Sequence, residues 1–150
     1  MKGINKTERA KVVAEAMTWL GTPYHDMGCV KGVGVDCAML VFGVAKAVGL
    51  APHVEHSDLP VYSPAAHVYN KGFLLDEILK FGCVEVPLNK AEPGDILLFE
   101  YYNTIAHAGI KVSDTEVIHA VKRPGIVCKV DISGNVEQTL RLAYRFPKVQ

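Results

Sequence analysis

Cys37 stands directly after Asp36, where a glycine-rich loop meets a long apolar run. Asp36 is a good N-cap, so the spacing predicts a helix that begins at Cys37. The free N–H groups and the macrodipole at such a point favour an anion. A thiol placed there shifts from a pKa of about 8.5 towards values at which thiolate is populated near neutrality. The same N–H groups can hold an oxyanion. Gly28, Gly32 and Gly34 allow close backbone approach by a substrate. The plainer reading is an inert core cysteine, and from these residues alone both stay open. Cys29, Cys83 and Cys128 have no such setting and read as small buried hydrophobes. No Cys-x-x-Cys pair suggests a zinc ribbon or a redox dithiol.

Two histidines complete a chemical set. His107 opens the run His107-Ala108-Gly109-Ile110, and His119 lies in Ile118-His119-Ala120. A hairpin about Ser113-Asp114 is expected to bring them close to opposite each other, with Cβ atoms about 5 Å apart. One ring can then serve Cys37 while the other orients it, which is the logic of nucleophile, base and orienting group. A zinc ion held by Cys37, His107 and His119 is the competing use of the same side chains, although no metal-ligand motif demands it. His25, His53, His56 and His67 fall in predicted loops and read as solvated. Tyr62, Tyr101 and Tyr102 are candidates to line a cleft or to pack.

The elements that must position these groups follow from periodicity. A first helix is expected with Thr7 as cap, Glu8 in its first turn and an apolar stripe of Ala10, Val13, Met17 and Leu20. Gly21 and Pro23 stop it. Cys37 to Val48 is apolar nearly all round and predicts a buried central helix ended by Gly49. Residues 51–70 read as irregular, with Pro52, Pro60 and Pro64. A short helix over about Phe73 to Phe81 comes next. Strands are then expected at Ile96–Phe99, His107–Val112, Val117–Ala120, Ile126–Val130 and Leu140–Phe146, with Pro93-Gly94-Asp95 as a turn. Helices first and strands second indicate an α+β domain with helices packed on a small antiparallel sheet.

The chain has 150 residues, enough for one domain with its own core. Its formal net charge of +0 argues against a general polyanion binder, so no nucleic-acid partner is expected. No apolar run approaches the roughly 20 residues that cross a bilayer, so no membrane insertion is expected. The charged start around Lys2 and Lys6 has no apolar secretory region, so synthesis in the cytosol is expected, with any exit by another route.

Taken in order, Gly21-Thr22-Pro23-Tyr24, Asp36-Cys37, Pro93-Gly94-Asp95-Ile96-Leu97, His107-Ala108-Gly109-Ile110 and Ile118-His119-Ala120 resemble the NlpC/P60 cysteine peptidases. The likeness runs through nearly the whole chain. Lys31-Gly32-Val33-Gly34 before the Asp-Cys pair resembles the short phage and gene-transfer-agent branch of that family. The resemblance implies a papain-like core forming one catalytic domain over residues 1–150. It implies Cys37 as nucleophile, His107 as base and His119 as third residue, with no cofactor. Tyr24 would sit beside the nucleophile near the oxyanion, and Asp36 would help bind a free peptide amine. It also implies a substrate: the γ-D-glutamyl to diaminopimelate bond of peptidoglycan stem peptides. Phage tail proteins would be partners, and the periplasm or cell wall the place of action. Many members have Ser-Gly after the nucleophile, where this chain has Ala38-Met39, so a hydroxyl available to substrate is missing. Two other readings remain at this point. One is a non-catalytic tail component keeping the fold; the other is an amidase, transglutaminase or acyltransferase on another substrate.

Overall fold

A computed structural model of the chain describes residues 3–62 and 72–149, with every side chain among them except that of Asn135. His67 and the 63–70 part of the expected irregular stretch lie outside these described residues. Helix α1 spans Lys6–Met17, and its cap is Asn5 rather than Thr7. The Asn5 side chain accepts the Glu8 N–H at 2.9 Å, and the Glu8 carboxylate accepts the Asn5 N–H at 3.0 Å. Asn5 wins because the glutamate three residues on completes a reciprocal capping box. Three residues beyond Thr7 stands Ala10, which cannot do so.

The face that α1 buries also differs from the expected one. Val12, Ala16 and Trp19 are buried, while Met17 and Leu20 stay 39% exposed. Trp19 has by far the largest apolar area to hide, and it lies against Gly43 of the central helix. A Cβ at Gly43 would fall 2.7 Å from the indole ring. Helix α2, Cys37–Ala47, is that central helix, and it is buried from Met39 to Ala45. Helix α3 covers Phe73–Lys80.

Strands β1, Cys29–Val30, and β2, Gly34–Val35, form a small antiparallel hairpin just before α2. Six further strands make the main sheet: β3 Val84–Val86, β4 Ile96–Tyr101, β5 Thr104–Lys111, β6 Glu116–Ala120, β7 Val127–Asp131 and β8 Leu140–Arg145. Their order is β3-β8-β4-β5-β6-β7, and every pairing is antiparallel. Helix α2 lies on one face, over Ile96, Leu98, Ala108, Ile110 and Ile118. Leu97, Phe99, Val117 and Ala143 form a second cluster, which Val136 of the short helix α4, Asn135–Thr139, helps to cover. The α+β expectation and the five expected strands match this sheet; β3, the β1–β2 hairpin and α4 were not anticipated.

The Pro93-Gly94-Asp95 turn is a structural staple. Asp95 is fully buried, and both of its oxygens receive Arg145 of β8, from Nε and Nη2, at 2.8 Å each. It also accepts the Glu92 N–H at 2.8 Å. Gly94 donates to the Lys111 carbonyl at 2.7 Å, and Lys111 N–H returns to the Asp95 carbonyl at 2.9 Å. Gly94 has φ +96, and a Cβ there would fall 2.6 Å from Cβ of Arg9. One turn thus locks β4, β5, β8 and α1 together. Arg145→Ala leaves an unpaired buried carboxylate, so it should cost about 3–5 kcal/mol. Urea unfolding of the variant measures that loss.

Candidate active site

The Gly21–Tyr24 segment is held by backbone pairing on both sides. Gly21 N–H donates to the Val127 carbonyl at 2.9 Å, Val127 N–H to the Thr22 carbonyl at 2.8 Å, and Tyr24 N–H to the Gly125 carbonyl at 2.8 Å. On the other side, Val35 N–H reaches the Pro23 carbonyl at 3.0 Å and His25 N–H the Val35 carbonyl at 3.1 Å. Tyr24 is thereby fixed between β2 and the β6–β7 connection. Its half-buried hydroxyl has a raised pKa, through burial and the nearby Cys37, Asp36 and Asp26.

Asp36 is 2% exposed and fills its expected role as the cap of α2. One carboxylate oxygen accepts the Met39 N–H at 2.8 Å, and the other accepts the Met27 N–H at 2.8 Å and the Tyr62 hydroxyl. The cap therefore also anchors two loops. Cys37 begins the helix as expected, and its sulfur is approached by the N–H groups of Ala108, Ala38 and Cys37 itself. The thiol accordingly lies against β5 at the residue after His107. Cys37, His107, Tyr24, Asp36 and Ala38 all line one cleft of about 360 Å³. Tyr62, Tyr101 and Tyr102 line it too, as do Phe73 and Leu74.

His107 and His119 are joined directly: Nε2 of His107 lies 2.9 Å from Nδ1 of His119. They meet on a diagonal, not opposite each other. Ile110 pairs with Ile118 and Lys111 with Val117, which sets His119 alongside Gly109. A Cβ at Gly109 would stand 2.7 Å from Cγ2 of Val117 and 3.2 Å from Cβ of His119. The missing side chain lets β6, with His119, come this close to β5. Phe99 packs on the His107 ring, with centroids 5.4 Å apart. With the shared proton on His107 Nε2, its Nδ1 lone pair is left for a thiol. Two imidazoles on one tetrahedral zinc would hold their nitrogens about 3.3 Å apart, whereas a hydrogen bond at 2.9 Å already joins these two. Among the described residues, no group of three or more His, Cys, Asp or Glu side chains is placed to hold a metal.

The electrostatics reverse one expectation. The Cys37 thiol is pushed up to about 12, first by burial and then by the Asp36 carboxylate; the surrounding N–H groups oppose this only in part. Burial, with help from His119, holds His107 down at about 3. Burial alone holds His119 at about 4. The helix start does favour an anion, but the cap that makes the helix start is itself an anion. Burial and Asp36 therefore favour a neutral thiol and a neutral imidazole over an ion pair. Burial also raises Cys29 to about 11 and Cys83 to about 12, so thiol acidity does not single out Cys37. Its place beside His107 does.

Asp26 and Lys122 also line the cleft, and neither was anticipated as a site residue. Lys122 lies just three positions beyond His119, but only the fold shows that the end of β6 opens on the cleft.

The family profile described as NlpC/P60 matches residues 21–145. The chain belongs to the NlpC/P60 family. No curated protein matches it. Among solved structures, this NlpC/P60 chain is similar to a lipoprotein-like NLP/P60 protein of Staphylococcus aureus at 19% identity and TM-score 0.65, covering 99% of this chain and 44% of that one. It is similar to the NlpC/p60 domain of the peptidoglycan hydrolase SagA at 20% identity and TM-score 0.60, covering 94% and 98%. It is also similar to the peptidoglycan hydrolase RipB of Mycobacterium tuberculosis at 16% identity and TM-score 0.60, covering 97% and 70%. The chain thus spans less than half the length of the Staphylococcus aureus protein. At these identities the likeness establishes the fold.

The neutral resting pair has a measurable signature. Thiolate forms only as pH climbs towards the raised thiol pKa, so alkylation of Cys37 by iodoacetamide should quicken steadily above pH 8. A flat, fast rate between pH 5 and 8 would mean a resting ion pair instead.

Proposed function

We propose that this chain is a cysteine peptidase that hydrolyses amide bonds in peptidoglycan stem peptides. The observation that carries this is the row Cys37, His107, His119: a thiol at a helix start, an imidazole on the same cleft, and a second imidazole hydrogen-bonded to the first. Membership of the NlpC/P60 family and the fold shared with SagA and RipB support the choice of substrate. The bond we favour is γ-D-glutamyl to diaminopimelate.

The geometry suggests the following chemistry. Because the resting pair is neutral, His107 takes the thiol proton as the sulfur attacks the amide carbonyl. The growing oxyanion meets the N–H groups around the start of α2, and Tyr24 is near enough to assist. His119 accepts from His107 Nε2–H and so steadies the imidazolium. That imidazolium protonates the departing amine, leaving a thioester on Cys37. His107 then activates a water, which releases the acid and restores the thiol. No step calls for a cofactor. Asp36 is placed to receive a peptide amine only alongside, or in exchange for, its present donors.

We take the catalytic unit as residues 1–150, because α1 packs on α2 through Trp19 and Gly43. The Lys31–Gly34 likeness supports a phage-tail setting, with tail proteins as partners and delivery to the wall by the tail. In this fold Lys31 pairs with Glu15 at 2.7 Å and lies 5.6 Å over Trp19, so it ties the β1–β2 hairpin to α1.

Cys37→Ala should abolish cleavage of purified muropeptides, read by mass, while leaving circular dichroism unchanged. Residual cutting by that variant would remove Cys37 from its role. His107→Ala should lose about 10²–10⁴-fold in rate, the usual worth of a general base. His119→Ala should lose less, because orientation is partly replaceable; equal losses would argue against the division of roles.

A further inference from the structure

Lys122 is the one cationic side chain that lines the cleft among the described residues. It is also uncommitted. Lys31, Lys46, Lys80, Lys129 and Lys148 each meet a glutamate. The exposed Lys122 ammonium has no acidic partner among the described residues and lies 6.0 Å from the centroid of the Tyr24 ring. The loop that carries it is well closed. Gly125 N–H donates to the Val121 carbonyl at 3.1 Å, and Val121 N–H to the Ile126 carbonyl at 3.3 Å. The Tyr24 N–H bond to Gly125, at 2.8 Å, joins this loop to Tyr24. The backbone beneath Lys122 and Tyr24 is thus pinned, which holds the cation's tether at a fixed place on the cleft rim.

The other charges of the cleft cannot take that role. Asp26 and Asp36 both carry carboxyl groups, which cannot attract another carboxylate, and Asp36 already has donors. Ala38 offers no hydroxyl where it lines the cleft. An anionic group of the substrate therefore has one cation to meet. Its side of the scissile bond follows from the neighbours. His107, which delivers a proton to the departing amine, is flanked by Tyr101, with rings 6.1 Å apart. Lys122 is flanked instead by Tyr24, which adjoins Cys37 and Asp36. That is the flank on which the acyl group stays after attack. A γ-linked glutamyl residue uses its side-chain carboxyl in the amide and leaves its α-carboxylate free, a few atoms from the carbonyl under attack.

We infer that Lys122 is a specificity-determining residue that binds the free α-carboxylate of a γ-linked acidic residue on the acyl side of the scissile amide. The inference rests on the stem-peptide reading above. It is tested with the full chain on two synthetic peptides, L-Ala-γ-D-Glu-diaminopimelate and its α-carboxamide twin with D-isoglutamine. Lys122→Gln and Lys122→Arg are compared with the wild type; Lys122 is exposed, so both should fold. Lys122→Gln should lose about tenfold or more in kcat/KM on the carboxylate peptide, the usual scale of a charge-assisted hydrogen bond. It should lose less than about threefold on the carboxamide, where no charge is met. Lys122→Arg should keep most of the wild-type preference. Equal loss on both peptides, or loss on neither, overturns the assignment while leaving the peptidase reading intact. A loss that depends instead on exchanging diaminopimelate for lysine places Lys122 on the leaving side and overturns it as well. Failure of the wild type to cut either peptide overturns the stem-peptide reading, and the Lys122 assignment falls with it.

Discussion

The carboxylate of Asp36 is the constraint on which the site depends. A buried carboxylate is costly unless its oxygens are well supplied with donors. Here they receive the Met39 N–H, the Met27 N–H and the Tyr62 hydroxyl. Each bond fixes something different. The first sets where α2 begins and hence where Cys37 stands. The second draws in the loop after Tyr24. The third fixes one side of the cleft. A single ionised group thus coordinates helix, loop and wall, and the loss of any one bond would loosen the other two.

The same carboxylate opposes the charge that a nucleophile needs. A helix start with N–H groups around the sulfur should draw out a thiolate. A neighbouring anion in a buried setting pushes the other way, and the thiol is raised as a result. His107 is also held neutral. In the mechanism we propose, the proton then moves during the attack, when negative charge passes from sulfur to the carbonyl oxygen and the N–H groups can follow it. Storing no charge at rest also makes the thiol less open to adventitious oxidation or alkylation.

Much of this was readable from residue types and spacing. The central helix, its Asp36 cap and the five main strands follow from periodicity and turn residues, which act locally. Cys37 and both histidines stand out as candidates from their places on those elements. What escaped depended on contacts distant in the chain. The buried face of α1 departs from its apolar spacing because the size of Trp19, just after the helix, and the gap at Gly43 decide which face turns inward. The histidines were expected opposite each other because a turn suggests a register but does not fix it. Asp95 could not be recognised as a staple without knowing that Arg145 would lie beside it. The spacing suggests an acidic thiol because Asp36 reads as a cap, and only in the fold is the same Asp36 also a charge beside the sulfur.

The empty space at Gly109 carries a wider consequence. The hydrogen bond between the imidazoles depends on a neighbouring position that contributes no side chain. The backbone of β5 could accommodate a larger residue there as far as its own conformation is concerned, since only the neighbours Val117, Ile118 and His119 stand in the way. Activity in this fold is therefore exposed to silent failure. A single methyl group on a residue without chemistry of its own would press on Val117, the Ile118 carbonyl and Cβ of His119, and so shift the second imidazole while every reactive side chain remains in the sequence. Counting intact motifs is then an incomplete guide to which such chains are working enzymes; the vacant position between the motifs has to be inspected as well.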